Sequence, residues 1–296
     1  LQTFEEQVLV HDRKGERRVS PFMVPMIMPN APGAAISMRF GLQGPNETIT
    51  TACAASTHAI GYATRLIQMG YADVVVSGGT ESVMSPVGMA GFQNMTALSS
   101  SGQSKPFDKD RDGFMMTEGS ATLVLEEMSS AQSRGANIYG EVLGSGSTAD
   151  AHHITAPAPG GDGALRCMQL AIEDSGLAST DIASVNAHGT STPLNDAAEA
   201  EALSKLFGED GPPVTSTKGV TGHALGAAGA IEATAVLLSF LHKQIPPTAG
   251  FVNRDPEMAG FNIVTGGGLE WEPGPSMSNS FGFGGHNGSI VLAPVN

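Results

Sequence analysis

Apolar and polar positions follow two rhythms along the chain, and the rhythm switches repeatedly. "ETITTA" (47–52) reads as a strand, and 53–69 has helical spacing. "DVVVSGG" (73–79) is an apolar run of buried-strand length, and "GSATLVLEEM" (119–128) alternates with period two. The pattern then restarts. "IYGEVLGSGSTAD" (138–150) is strand-like, and "GALRCMQLAIEDSGL" (163–177) is a helix with a glycine stop. "IASVNAHG" (182–189) is a strand. "PLNDAAEAEALSKLFG" opens with Pro193 and closes with Gly208, both helix boundaries. "PVTSTKG" (213–219) predicts a strand and "LGAAGAIEATAVLLSFLHK" (225–243) a long helix. "FNIVTGG" (261–267) and "SMSNSFGFGGHNGSIVLAP" (276–294) finish as strands around a glycine turn. Alternating β and α elements predict an α/β fold of mainly parallel, buried strands. An internal echo pairs "TACAASTHAIGYA…DVVVSGG" with "TGHALGAAGAIEA…FNIVTGG", as a duplicated chain would.

Composition narrows the classes. The chain has 296 residues, 41% apolar and 15% charged, the profile of a globular enzyme. Its net charge of −14 argues against nucleic acid as partner. Two cysteines do not make a disulfide framework, which points to a reducing, cytoplasmic compartment. No apolar run is expected to reach the ~18 residues of a membrane helix, and the longest candidate, "AGAIEATAVLLSFL", contains Glu232 and reads as a buried core helix. The cations gather in "DRKGERR", with Arg13, Lys14, Arg17 and Arg18, either a solvated loop or a landing place for something acidic.

The candidate chemistry begins at Cys53. A cysteine at a helix start feels the positive end of the helix dipole, which favours the thiolate. Its small neighbours leave room for a substrate, and a thiolate can carry an acyl group as a thioester. The alternative is a small buried hydrophobe, the reading that fits Cys167 on the apolar face of "ALRCMQLAI". His188 leaves a strand into a Gly/Thr turn, and His223 sits among small residues at a strand-to-helix turn. Strand ends are where α/β proteins place their sites. Lys218 precedes His223, and Glu232 lies on the helix that follows. One cysteine and two histidines could be a nucleophile with hydrogen-bond donors or a zinc site, although CxxC and HExxH spacings are absent. "DKDRDGFMMTEG" begins like a calcium loop but has Gly119 where the bidentate Glu belongs. "GFGGHNG" is a turn before a strand, not a dinucleotide fingerprint.

"TACAAS", "PFDKDRDGF", "NAHGTSTPLND", "TKGVTGHALGAAGAIE" and "NSFGFGGHN" stand in the order they have in β-ketoacyl-ACP synthases. The chain resembles the elongating type, synthase II, over all 296 residues. Thiolases use a second cysteine in the late turn, which here is "GFGGHNG"; a chain-length factor lacks the nucleophile. Polyketide ketosynthases share many of the motifs and stay open, as does a non-catalytic partner that only dimerises or binds ACP. The resemblance implies a thiolase-like fold, with duplicated βαβαβαββ halves in αβαβα layers. The halves fall at 1–135, with the cysteine, and 136–296, with the two histidines. About a hundred residues of the family pattern, including the first two strands of the first half, are not in this chain.

The resemblance also implies the reaction: malonyl-ACP condenses, with loss of CO2, onto an acyl chain held on Cys53. His188 and His223 match the paired histidines, Lys218 and Glu232 the supporting ion pair, and Phe283 the gating phenylalanine between flexible glycines. The N–H groups of Cys53 and Phe283 match the oxyanion hole. Thr190 and Thr192 match residues holding the phosphopantetheine arm; Arg17, Arg18 and Lys105 match ACP contacts. It implies a homodimer, acyl-ACP and malonyl-ACP as partners, no metal, no bound cofactor and no membrane.

Overall fold

The computed structural model describes residues 1–295. The chain opens with three helices, α1 (Gln2–Lys14), α2 (Met23–Ile27) and α3 (Ala31–Phe40), followed by α4 (Ala55–Gln68) and strand β1 (Val74–Glu81). After α5 (Pro86–Asn94), β2 (Gly119–Glu126) pairs antiparallel with β1, and α6 (Met128–Ser133) ends this part. Next come β3 (Glu141–Ala149), α7 (Asp162–Ser175), β4 (Ser184–Asn186), α8 (Pro193–Phe207), β5 (Val214–Thr215), α9 (Lys218–Thr221) and α10 (Ala228–His242). A small pair, β6 (Gln244–Ile245) and β7 (Leu269–Glu270), precedes the closing hairpin of β8 (Ser276–Gly282) and β9 (His286–Ala293).

The larger sheet has the order β3-β9-β8-β4-β5. Its strands are not mainly parallel, contrary to the expectation from alternation. Only β4 pairs in parallel, with β8 and β5, while β3–β9 and β8–β9 are antiparallel. The reason is local: a glycine turn too short for a crossover joins β8 to β9, and such a turn forces antiparallel pairing. Gly284 and Gly285 take φ +83° and +72° in that turn, where a Cβ would be strained.

Residues alternate between two cores. Val291 and Met277 join Met168, Ile172, Val185, Leu203 and Val214 under α7 and α8. Ile290 and Leu292 face the other way, onto Ile60, Ala230, Val236 and Phe240 of α4 and α10. Both faces are therefore covered, which matches the continuous burial of β9. α4 and α10 lie between the five-stranded sheet and the β1–β2 pair. This is the layered, thiolase-like arrangement. The two central helices touch where Gly229 leaves room, since a Cβ there would meet Thr57 Oγ1 at 2.0 Å. The echo is visible here. Each central helix is entered by a 3-10 turn, Ala52–Ala54 or Leu225–Ala227, with a left-handed residue, Ala52 (φ 50°) or Leu225 (φ 44°).

Three further expectations need correction. "ETITTA" forms no strand: it has no ladder partner among the described residues, and Ala52 already belongs to the 3-10 turn. A strand is defined by its neighbour, and apolar alternation cannot supply one. "FNIVTGG" makes a single parallel bridge, Ile263 to Val214, so the echo fails at that strand. An apolar helical run does reach membrane length: Leu225–His242 spans 18 residues at mean hydropathy 1.5. It is 56% buried, carries the ion-paired Glu232 and packs between sheets, so it serves as a core helix.

Candidate active site

Cys53 sits in the 3-10 turn that leads into α4 and is 8% exposed. Burial pushes its thiol up to about 11, against the pull of Lys218 and of the Phe283 and Cys53 N–H groups. The helix-start position therefore does not make a resting thiolate, contrary to the expectation from the dipole alone. Desolvation of a charged sulfur outweighs it. What the turn provides is direction: two backbone N–H groups face the sulfur. Gly282 makes this possible, because a Cβ there would lie 3.0 Å from the Cys53 nitrogen.

His188 follows β4, and His223 lies between α9 and the turn into α10. Cys53 Sγ and one nitrogen of each histidine lie within 4.8 Å of one another, all buried. The imidazole rings meet edge to face at 5.2 Å, and Phe281 and Phe114 pack edge-on against His188 and His223. Lys218, buried at 1% exposure, donates to Glu232 and lies 3.3 Å from His188 Nδ1. An ammonium donates at that position, so the ring proton is on Nε2. Burial, then Lys218, hold both histidines well below the ordinary range, with His223 adding to the effect on His188. They are neutral donors. Burial pushes Glu232 up to about 7 despite Lys218. The three ligand atoms are close enough for a metal, but the Lys218 ammonium, 3.3 Å from His188 Nδ1, would repel a cation bound by that ring.

Sequence reasoning missed the residues that hold this loop. Glu199 accepts the His188 and Gly189 N–H groups at 2.8 and 2.7 Å. Asp196 accepts those of Phe107, Thr190 and Ser191. Both are fully buried on α8. Their spacing of three in "NDAAE", just after the His188 loop, puts both on one helical face and could have revealed them. They hold Ser191 and Phe107 at φ +72° and +63°, left-handed backbone that a site can retain only if its surroundings enforce it. Thr190 and Thr192 are joined through their hydroxyls at 2.9 Å at the start of α8. Lys105 is pinned beside them, its N–H donating to Ser191 Oγ. Arg17 and Arg18 lie on an exposed turn after α1, outside the buried cluster.

The acidic run does not converge as a calcium cage. Asp108 accepts the N–H groups of Asp110, Val252 and Asn253, while Asp112 binds Ser99, Ser100 and Ser101. Those donors hold Asp112 down to about 2 although burial opposes them.

Two family models match the chain, "Beta-ketoacyl synthase, N-terminal domain" over residues 2–131 and "Beta-ketoacyl synthase, C-terminal domain" over 139–252. Similar curated proteins include the 3-oxoacyl-[acyl-carrier-protein] synthase 2 of Synechocystis, 46% identical across 99% of this chain and 72% of the relative. The protein of that name from Staphylococcus aureus is 45% identical, across 99% and 74%. Among solved structures, a Burkholderia phymatum β-ketoacyl synthase superposes with TM-score 0.94 at 35% identity, covering 100% of this chain and 73% of that one. A type II PKS acyl-carrier protein in complex with its ketosynthase gives 0.95 at 30% identity, covering 99% and 75%.

Proposed function

Since the chain belongs to the β-ketoacyl synthase family, we propose that it condenses malonyl-ACP with a Cys53-bound acyl chain in fatty acid elongation. The observation that carries this is the buried meeting of Cys53 Sγ with the two neutral histidines, beside the Phe283 and Cys53 N–H groups. The 45–46% identity to 3-oxoacyl-ACP synthase 2 relatives favours fatty acid over polyketide chemistry, for which the ketosynthase with its acyl-carrier protein stands at 30%. Residues 1–135 and 136–296 are read as the two halves of the synthase.

The chemistry runs in two transfers. First, Cys53 Sγ forms a bond to the acyl carbon of acyl-ACP, and the carrier's S–C bond breaks. Because the thiol is held up near 11, its proton must leave during the attack. It passes to the departing carrier thiolate as the carrier's S–C bond breaks, so the imidazoles keep their protons for the second transfer. Second, malonyl-ACP enters, and its bond to the carboxylate breaks to release CO2. The electron pair moves onto the thioester oxygen, where His188 and His223 donate hydrogen bonds. Donors already in place when charge develops are worth about 2.7–4 kcal/mol each. The carbanion then attacks the Cys53 thioester, its oxyanion held by the Cys53 and Phe283 N–H groups. Collapse expels Cys53 as a thiolate, which takes a proton from solvent to return to the resting thiol, and leaves a β-ketoacyl-ACP two carbons longer.

Lys218 and Glu232 orient His188 without touching substrate. Phe283 gates the pocket, with Gly284 and Gly285 supplying the turn's freedom. Thr190 and Thr192 hold the phosphopantetheine arm, and Arg17, Arg18 and Lys105 contact the carrier. The acting species is a homodimer, and no resident metal or cofactor enters the reaction. The test is to mix acylated protein with malonyl-ACP and follow CO2 and product mass. A β-ketoacyl-ACP extended by two carbons, lost in His223→Ala, supports the assignment; acylation without CO2 release contradicts it.

A further inference from the structure

We infer that Glu5 and Gln7 are positioning residues for carrier-protein capture, fixing α1 and the basic turn behind it. This rests on the reading of Arg17 and Arg18 as carrier contacts. In a chain of net charge −14, four of fifteen cations fall between residues 13 and 18, and all four are exposed. The stretch stays net positive after Asp12 and Glu16 are counted. Such a turn suits an acidic protein surface.

α1 carries this turn, yet it buries no residue. Phe4, Val8 and Leu9 are exposed, while Thr3, Glu5, Gln7 and Val10 are half-buried. Two of the half-buried side chains make hydrogen bonds. Glu5 Oε1 accepts the Ser85 hydroxyl at 2.5 Å and the Val87 N–H at 3.2 Å, joining α1 to the start of α5. Gln7 Oε1 accepts the Ser20 N–H at 2.8 Å. Ser20 follows Arg17, Arg18 and Val19, so this bond folds the turn back along α1. Gly15 (φ +83°) makes the sharp exit that allows it. Without the Gln7 acceptor, the 3-10 turn keeps its own bonds, Arg18 N–H to Gly15 O and Val19 N–H to Glu16 O, but loses its tie to α1 and swings on Gly15, so the two arginines must be placed again at each encounter.

The test compares acylation of the full chain by acyl-ACP and by an acyl-pantetheine thioester, which has no carrier surface. Gln7→Met keeps the length of the side chain and removes the acceptor. It is expected to lower the acyl-ACP rate constant kcat/KM about five-fold, the worth of one ordinary hydrogen bond, and to leave the pantetheine reaction unchanged. Glu5→Gln should fall in the same direction, and Gln7→Glu, which retains an acceptor, should recover most of the loss. In the Arg17→Ala/Arg18→Ala background, Gln7→Met should have little further effect. Equal losses with both substrates would mean a merely structural role and overturn the inference. An unchanged Gln7→Met, beside a weakened arginine variant, would overturn it while leaving the carrier surface intact. An unchanged arginine variant would remove that surface and the inference together.

Discussion

At Cys53 the environment does two opposed things. Burial pushes the free thiol up, while the Cys53 and Phe283 N–H groups pull the other way, and in the proposed reaction they would meet the charge that develops there. The histidines follow the same logic, kept neutral by burial and by Lys218. A histidine whose folded pKa is depressed opposes stability as pH falls below its unfolded value near 6.5, because the unfolded chain then binds protons the folded one refuses. The same depression keeps both donors competent below that pH. Lys218→Met removes the cation that lowers them, so the acid limb of the decarboxylation rate should move to higher pH. A pH profile of CO2 release checks this, and an unmoved limb would mean that Lys218 does not set the histidine state. Glu232 would lose its ammonium in that variant, and breaking a buried pair costs ~3–5 kcal/mol. Stability of Lys218→Met against the double variant with Glu232→Gln should show part of that loss recovered.

The elements were readable from the chain where a helix has its own stop signals. Pro193 and Gly208 bound α8, and Gly176 (φ 71°) ends α7, as their sequences indicate. Strands were less legible because pairing depends on distant chain. The "ETITTA" segment has strand character and no neighbour, while β3 finds β9 about 140 residues later. Of the buried cluster, Cys53, His188, His223, Lys218 and Glu232 were singled out through their motifs, and the structure brings them together. The loop-holding Asp196 and Glu199 were missed: their spacing in "NDAAE" marks one helical face, but that this face turns under the His188 loop appears only in the fold. The central helices carry a sharper constraint. Gly229→Ala would place a methyl 2.0 Å from Thr57 Oγ1 and force α10 away from the helix that Cys53 leads into. A loss of about 1–3 kcal/mol is expected from such overpacking, measured as a fall in the denaturant midpoint, with slower acylation of Cys53.

For the whole molecule, the proposed capture of the carrier at the basic turn has a salt signature. The exposed basic turn stands out against a net charge of −14, and attraction between exposed charges is screened beyond ~8 Å at physiological ionic strength. Raising salt should therefore weaken acylation by acyl-ACP while sparing a carrier-free thioester. Exposed apolar side chains gather on α1, α2 and α3, with Phe22, Met38 and Phe40 each about 70–80% exposed. Sedimentation of the full chain is expected to give the mass of a dimer. The central claim is that Cys53 takes the acyl chain, and intact mass after incubation with long-chain acyl-ACP tests it most directly. The account predicts one added acyl mass on the protein and none on Cys53→Ala. No adduct on the unaltered protein, or an adduct that survives in Cys53→Ala, would contradict it.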